Sequence, residues 1–207
     1  LGASVFVMWG GREGVESDAA KDVPAALDCY AEAVNACCAY ITERGYEMEI
    51  ARNPGDAALH DDAAMLYLEV REFDAATRHF RTSLALKPAS AAAHYNLGTA
   101  LTLGGQLDEA AREYQAAIRI DPRYPQAHNN LGLVYQERNL LPESARELQR
   151  AVVLEPRNAG TRNNYGVTLL MLGQVDHAAA EFQTALWLEP QNLDALINLS
   201  LMQRKTG

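Results

Sequence analysis

The chain has 207 residues, 48% of them apolar but only 7% aromatic, which suits a core of small side chains and excludes a collagen-like or disordered polymer. Its 18 Lys and Arg against 27 Asp and Glu leave a net charge of −9, so its average field repels phosphate backbones and nucleic acid is not expected as a partner. Cys29, Cys37 and Cys38 show neither CxxC nor zinc-finger spacing, which argues against a disulfide framework and against a thiolate metal site.

Residues 1–22 read as an apolar, flexible opening segment. Its apolar run from Val5 to Trp9 is too short to cross a hydrocarbon layer of ~30 Å, so membrane association is expected only through additional N-terminal sequence. A cytoplasmic setting is favoured, with a membrane-anchored one as the alternative. Residues 23–56 read as a helical cap or degenerate repeat, with one helix over 24 to about 42 and a shorter one over 46–52. The acidity is concentrated in this front quarter, where residues 1–56 hold 4 basic and 10 acidic side chains.

From residue 54 onward the chain is periodic. Pro54, Pro88, Pro122, Pro156 and Pro190 fall at a constant interval of 34 residues. When segments starting at residues 57, 91, 125 and 159 are superposed, the eighth column reads Ala64, Gly98, Gly132 and Gly166. The twentieth reads Ala76, Ala110, Ser144 and Ala178, and the twenty-fourth Phe80, Tyr114, Leu148 and Phe182. Large apolar side chains recur at intervals of three, four and seven, the spacing of one helical face, while small residues let two helices approach closely. Gly104, Gly105 and Gly173 interrupt the first helix of a pair. Asp74, Asp108, Pro142 and Asp176 open the second, where a carboxylate meets the positive dipole end and proline loses no useful N–H. The periodic prolines close each pair. The pattern predicts two amphipathic helices per repeat, over 57–90, 91–124, 125–158 and 159–192, with no strands. Residues 193–207 begin a partial fifth repeat or capping helix, with Leu199 and Met202 expected to lie partly uncovered.

These columns resemble those of the tetratricopeptide repeat family, with His94, Leu97, Gly98, Leu101, Ala110, Tyr114, Ala117 and Pro122 as the best copy. The resemblance covers residues 57–192. It departs where His or Arg stands for the usual Trp and where Ala63-Ala64 stands for Leu-Gly. It implies an all-α fold, an α-solenoid whose stacked helix-turn-helix hairpins wind into a right-handed superhelix with first helices on the concave wall. It also implies a protein or extended peptide as partner, not a small-molecule substrate.

On that concave wall the sixth column reads Asp62, Asn96, Asn130, Asn164 and Asn198. An Asn side chain offers an acceptor and two donors, matching a peptide amide without reading its side chain. The column is similar to the amide ladder in the repeats of O-linked N-acetylglucosamine transferase. Four such contacts at ~0.5–1.5 kcal/mol each give micromolar or weaker binding once ligand ordering is charged against them. Alternatively, these amides simply bond locally. Tyr95, Thr99, Asn129, Leu133, Gln136, Asn163, Val167 and Met171 complete a neutral, partly apolar groove, acidic at Asp61, Asp62 and Glu69 and basic at Arg204 and Lys205. The cations with which some family members clamp a terminal carboxylate are missing.

His60, His94 and His128 also recur every 34 residues. Equivalent helices stack ~8–10 Å apart whereas zinc ligands lie ~2 Å from the ion, so one ion cannot bridge them and they are expected at the inter-repeat seam. His79 and His177 read as isolated surface residues. No nucleophile elbow, HExxH or phosphate loop is present, since Gly10-Gly11-Arg12-Glu13-Gly14 lacks the following Lys-Ser or Lys-Thr. No catalytic residue, cofactor or metal is assigned. The expected role is a non-catalytic interaction module, with two alternatives: a recruiting segment of a larger enzyme such as a glycosyltransferase, or a structural subunit of a multi-protein, possibly membrane-linked, complex.

Overall fold

The computed structural model describes residues 45–206, with side chains to residue 202. The apolar opening, the helix expected over 24–42, the three cysteines and the side chains of Arg204 and Lys205 lie outside the described residues. Helical residues 45–52 are labelled α1. Then follow α2 (Ala57–Glu69), α3 (Phe73–Leu86), α4 (Ala91–Leu103), α5 (Leu107–Ile120), α6 (Pro125–Glu137), α7 (Leu141–Leu154), α8 (Ala159–Met171), α9 (Val175–Leu188) and α10 (Leu193–Thr206). From α2 to α10 each helix packs on its neighbours in the chain, and the described residues contain no strand. The fold is an α-solenoid of helical hairpins.

Each hairpin turns through one residue in the left-handed region at the same column: Arg71 (φ 63°), Gly105 (76°), Asn139 (58°) and Gly173 (76°). The following N–H returns to the carbonyl five residues back, as from Gln106 to Leu101 and Gln174 to Leu169, so the last carbonyls of the first helix are satisfied. First helices α2, α4 and α8 start on Asp56, Ser90 and Asn158, whose side chains accept a backbone N–H. The first helix α6 begins with Pro125 instead. Second helices stop where the periodic prolines follow, because the residue before proline is pushed out of the helical region.

Close approach inside each hairpin comes from pairing columns eight and twenty-four. A β-carbon added to Gly98 would lie 2.7 Å from Tyr114 Cε1, on Gly132 2.6 Å from Leu148 Cγ, and on Gly166 2.7 Å from Phe182 Cε1. The large side chain of the second helix therefore lies directly on the glycine backbone of the first. Phe80, Tyr114, Leu148 and Phe182 are all at most 1% exposed, each burial contributing ~1.5–3 kcal/mol of hydrophobic stabilisation. The expectation of two amphipathic helices per repeat holds unevenly: the second helices α3, α5 and α7 are strongly amphipathic, whereas the first helices α2 and α4 are not. The first helix α4 touches its own second helix α5, the preceding α3 and the next first helix α6, and so carries apolar residues around most of its circumference.

First helices also touch directly, α4 on α6, α6 on α8 and α8 on α10, with no comparable contact between successive second helices. Shorter spacing on the first-helix side bends the stack toward that side, which makes it the concave wall. In α10, Met202 is buried at 7%, contrary to the expectation that it would be partly uncovered. It packs with Leu169, Phe182 and Leu199 against the fourth hairpin, whereas Leu196, Ile197 and Leu201 are exposed.

Candidate functional site

The inner edge, where first helices meet, carries the residues singled out from the sequence. Asn130 Nδ2 donates to Tyr95 Oη at 3.3 Å, Asn164 Nδ2 to Asn129 Oδ1 at 3.0 Å, and Asn198 Nδ2 to Asn163 Oδ1 at 2.9 Å. Each bond links column six of one repeat to column five of the preceding one, so three of the four asparagines brace the stack. Asn129 Nδ2 donates to Asn130 Oδ1 at 3.1 Å, joining two of these links into one chain that ends on Tyr95. Tyr114 Oη lies against Thr99, Thr102 and Asn130. Burial pushes its phenol above the ordinary value, partly opposed by those hydrogen bonds.

What remains for a ligand is more restricted than a row of free amides. Asn96 makes no side-chain hydrogen bond among the described residues, and Asn164 and Asn198 keep their Oδ1 acceptors. Asn163 is buried, Asn129 and Leu133 are half-buried, and Asp62 is exposed at the front. At the same front end, Asp61 has a buried Oδ1 with no hydrogen-bond partner among the described residues, where the later repeats place Tyr95, Asn129 and Asn163 as acceptors. Gln136 Nε2 contacts Met171 Sδ at 3.3 Å, again bridging successive first helices. Between these polar groups lie exposed apolar side chains, Met65 at 44%, Leu103 at 53% and Met171 at 49%. The edge is thus a neutral strip of amides, hydroxyls and exposed apolar side chains.

A second periodic arrangement was only partly legible. His94 faces Glu113 Oε2 through Nδ1 at 2.6 Å and the Pro88 carbonyl through Nε2 at 3.2 Å. His128 does the same with Glu147 (2.7 Å) and Pro122 (3.2 Å). Arg162 occupies this column in the fourth repeat and donates to Pro156 O at 2.9 Å and Glu181 Oε2 at 2.7 Å. In these three repeats column four therefore makes two polar contacts that tie the first helix to the preceding loop and to its own second helix. Both ring nitrogens of His94 and His128 face acceptor oxygens. In the first repeat the partner at column twenty-three is His79, not Glu. His79 is not isolated, as the sequence suggested, but bonded to His60 and stacked on Tyr67 at 5.3 Å. The signal that would have found it is column twenty-three itself, which reads His79, Glu113, Glu147, Glu181.

Residues 98–139 match the family model described as TPR repeat, and residues 129–195 match that described as tetratricopeptide repeat. Together the two matches span residues 98–195, and the α-solenoid over the described residues agrees with them. Three solved structures share the fold. The crystal structure of MamA aligns with a TM-score of 0.69 and 22% identity, over 73% of this chain and 88% of that one. YrrB, described as a TPR protein with an unusual peptide-binding site, gives 0.67 and 24% over 78% and 83%. TTC0263, a thermophilic TPR protein of Thermus thermophilus, gives 0.63 and 22% over 89% and 98%. At these identities the likeness is one of fold. No helix among the described residues is long and apolar enough to cross a membrane.

Proposed function

We propose that this chain is a non-catalytic protein-interaction module that holds an extended peptide or the flexible segment of a partner protein along its first-helix edge. The observation that carries the reading is the run of exposed Met65, Leu103 and Met171 on that edge, interleaved with Asn96 and the open acceptors of Asn164 and Asn198. Apolar side chains supply area, and the amides meet main-chain groups in a sequence-tolerant way. YrrB is a TPR protein with a peptide-binding site, which supports peptide binding as a use of this fold. A resemblance to the amide ladder of O-linked N-acetylglucosamine transferase repeats belongs to the same proposal, restricted to the amides not consumed by inter-repeat bonds.

Peptides selected from a random display library on the full chain provide the test. Their binding, read by fluorescence anisotropy, is expected to fall about tenfold or more in Asn96→Ala and in Leu103→Asp/Met171→Asp. It is expected to persist in Val153→Asp, on the second helix α7, which is 62% exposed. Equal loss from both sets, or selected peptides indifferent to both, sinks the groove.

A further inference from the structure

His60 and His79 form the one column-four pair among the described repeats in which imidazole faces imidazole, with Nδ1 and Nδ1 3.2 Å apart. The neighbours select a tautomer. His60 Nε2 lies 3.2 Å from the Pro54 carbonyl, which can only accept, so the tautomer that satisfies this contact carries its proton on Nε2 and presents a lone pair at Nδ1. His79 Nδ1–H then donates into that lone pair. We infer that this pair is a binding site for a divalent late transition-metal ion such as zinc, which takes the place of the proton held between the two Nδ1 atoms.

Three features support the assignment. Two ligands at ~2.0–2.1 Å from a tetrahedral zinc stand about 3.3–3.4 Å apart, so the observed separation already suits one ion, which stands to one side of the Nδ1–Nδ1 line and requires each ring to turn its lone pair toward it. A metal-binding histidine ordinarily donates its other N–H to a carbonyl or carboxylate that fixes its tautomer, as His60 does with Pro54. Both rings are packed, His60 of α2 at 6% exposure between the preceding loop and α3, and half-buried His79 against Tyr67 with ring planes 17° apart. No third His, Cys, Asp or Glu joins them in a metal-holding group among the described residues, so water completes the shell. Of the charges that act on His79, Glu47 on α1 favours a bound cation and Arg78 opposes it more strongly, so the site rests on its ligand geometry and not on a favourable local field. On binding, the proton at His79 Nδ1 transfers through solvent to His79 Nε2, so both ligands are neutral imidazoles and no net proton is released.

Zinc titration of the full chain carrying Cys29→Ser, Cys37→Ser and Cys38→Ser, which removes competing thiolates, tests this by calorimetry at about pH 7.5. One ion per chain, a dissociation constant on the order of micromolar and a zinc-dependent rise in melting temperature are expected. Adding His79→Gln should weaken binding about tenfold or more and abolish that rise, with the helical spectrum unchanged. Cu²⁺ should give an electron paramagnetic resonance signal coupled to two nitrogens, reduced to one in the variant. Absence of saturable binding at submillimolar zinc, or equal binding in His79→Gln, overturns the assignment; binding elsewhere, as at His94 and Glu113, would survive the substitution.

Discussion

Arg162 on α8 donates to Glu181 on α9 at 2.7 Å, with both side chains about one-fifth exposed, while its Nε holds the Pro156 carbonyl at 2.9 Å. One side chain thus fastens three pieces of chain: the loop from the preceding repeat, the first helix and the second helix. Replacing Arg162 with Met removes both prongs and leaves Glu181 without its counter-charge, with an expected loss of about 1–2 kcal/mol after allowing for solvent screening. Arg162→His should recover most of it, because histidine performs the same task at His94 and His128. Urea denaturation of the three proteins decides; identical midpoints for Met and His would show that the pair contributes nothing.

The contact between Gly132 and Leu148 leads to a packing prediction. A methyl group on residue 132 would approach Leu148 Cγ to 2.6 Å, and Cγ is a branch point near the backbone that cannot swing aside as a flexible tip would. Overpacking of this kind costs ~1–3 kcal/mol, against which the higher helix propensity of alanine returns up to ~1 kcal/mol. Gly132→Ala is therefore expected to be net destabilising. Pairing it with Leu148→Ala should recover part of the overpacking term in a double-mutant cycle, less the cavity left behind; strict additivity would refute direct contact.

Arg71 holds a left-handed conformation at φ 63°, where the equivalent turns of the second and fourth repeats use glycine. The conformation costs a residue with a β-carbon about 1–2 kcal/mol. Its guanidinium lies 6.0 Å above the Phe73 ring, an exposed contact contributing ~0.5–1 kcal/mol. The backbone effect is the larger, so Arg71→Gly should raise the melting temperature. The reciprocal change, Gly105→Ala, should lower it. A lower melting temperature for Arg71→Gly would show that the cation–π contact outweighs the strain.

The repeat and its helix boundaries were legible because packing imposes them column by column: Gly132 needs Leu148, and Pro122 must follow the end of α5. The groove was less legible. An asparagine at column six looks the same in sequence whether its amide faces a ligand or the preceding repeat, and only stacking shows that the Asn130 side chain reaches Tyr95 while that of Asn96 hydrogen-bonds to none of the described residues. Likewise His60 and His79 stand 19 residues apart, a separation without meaning until two antiparallel helices bring their rings together.

Those two rings also set a pH response. His79 is held below its ordinary value of 6.5, first by burial, then by the neighbouring charges of His60 and Arg78, with Glu47 opposing. In the window between the folded value and 6.5 the unfolded chain binds more protons at this site than the folded one, so stability falls as the pH drops through that window. Above it both states are neutral and the site contributes no slope. Melting curves recorded without metal between about pH 7.5 and 5.5 should therefore show a decline that is shallower in His79→Gln, which carries no titrating group there. Carboxylates on the rest of the surface titrate lower, at about 4 in the unfolded chain, and act equally on both proteins. Parallel curves for the two would mean that His79 protonates as readily in the fold as outside it, and that its place beside His60 exerts no electrostatic penalty.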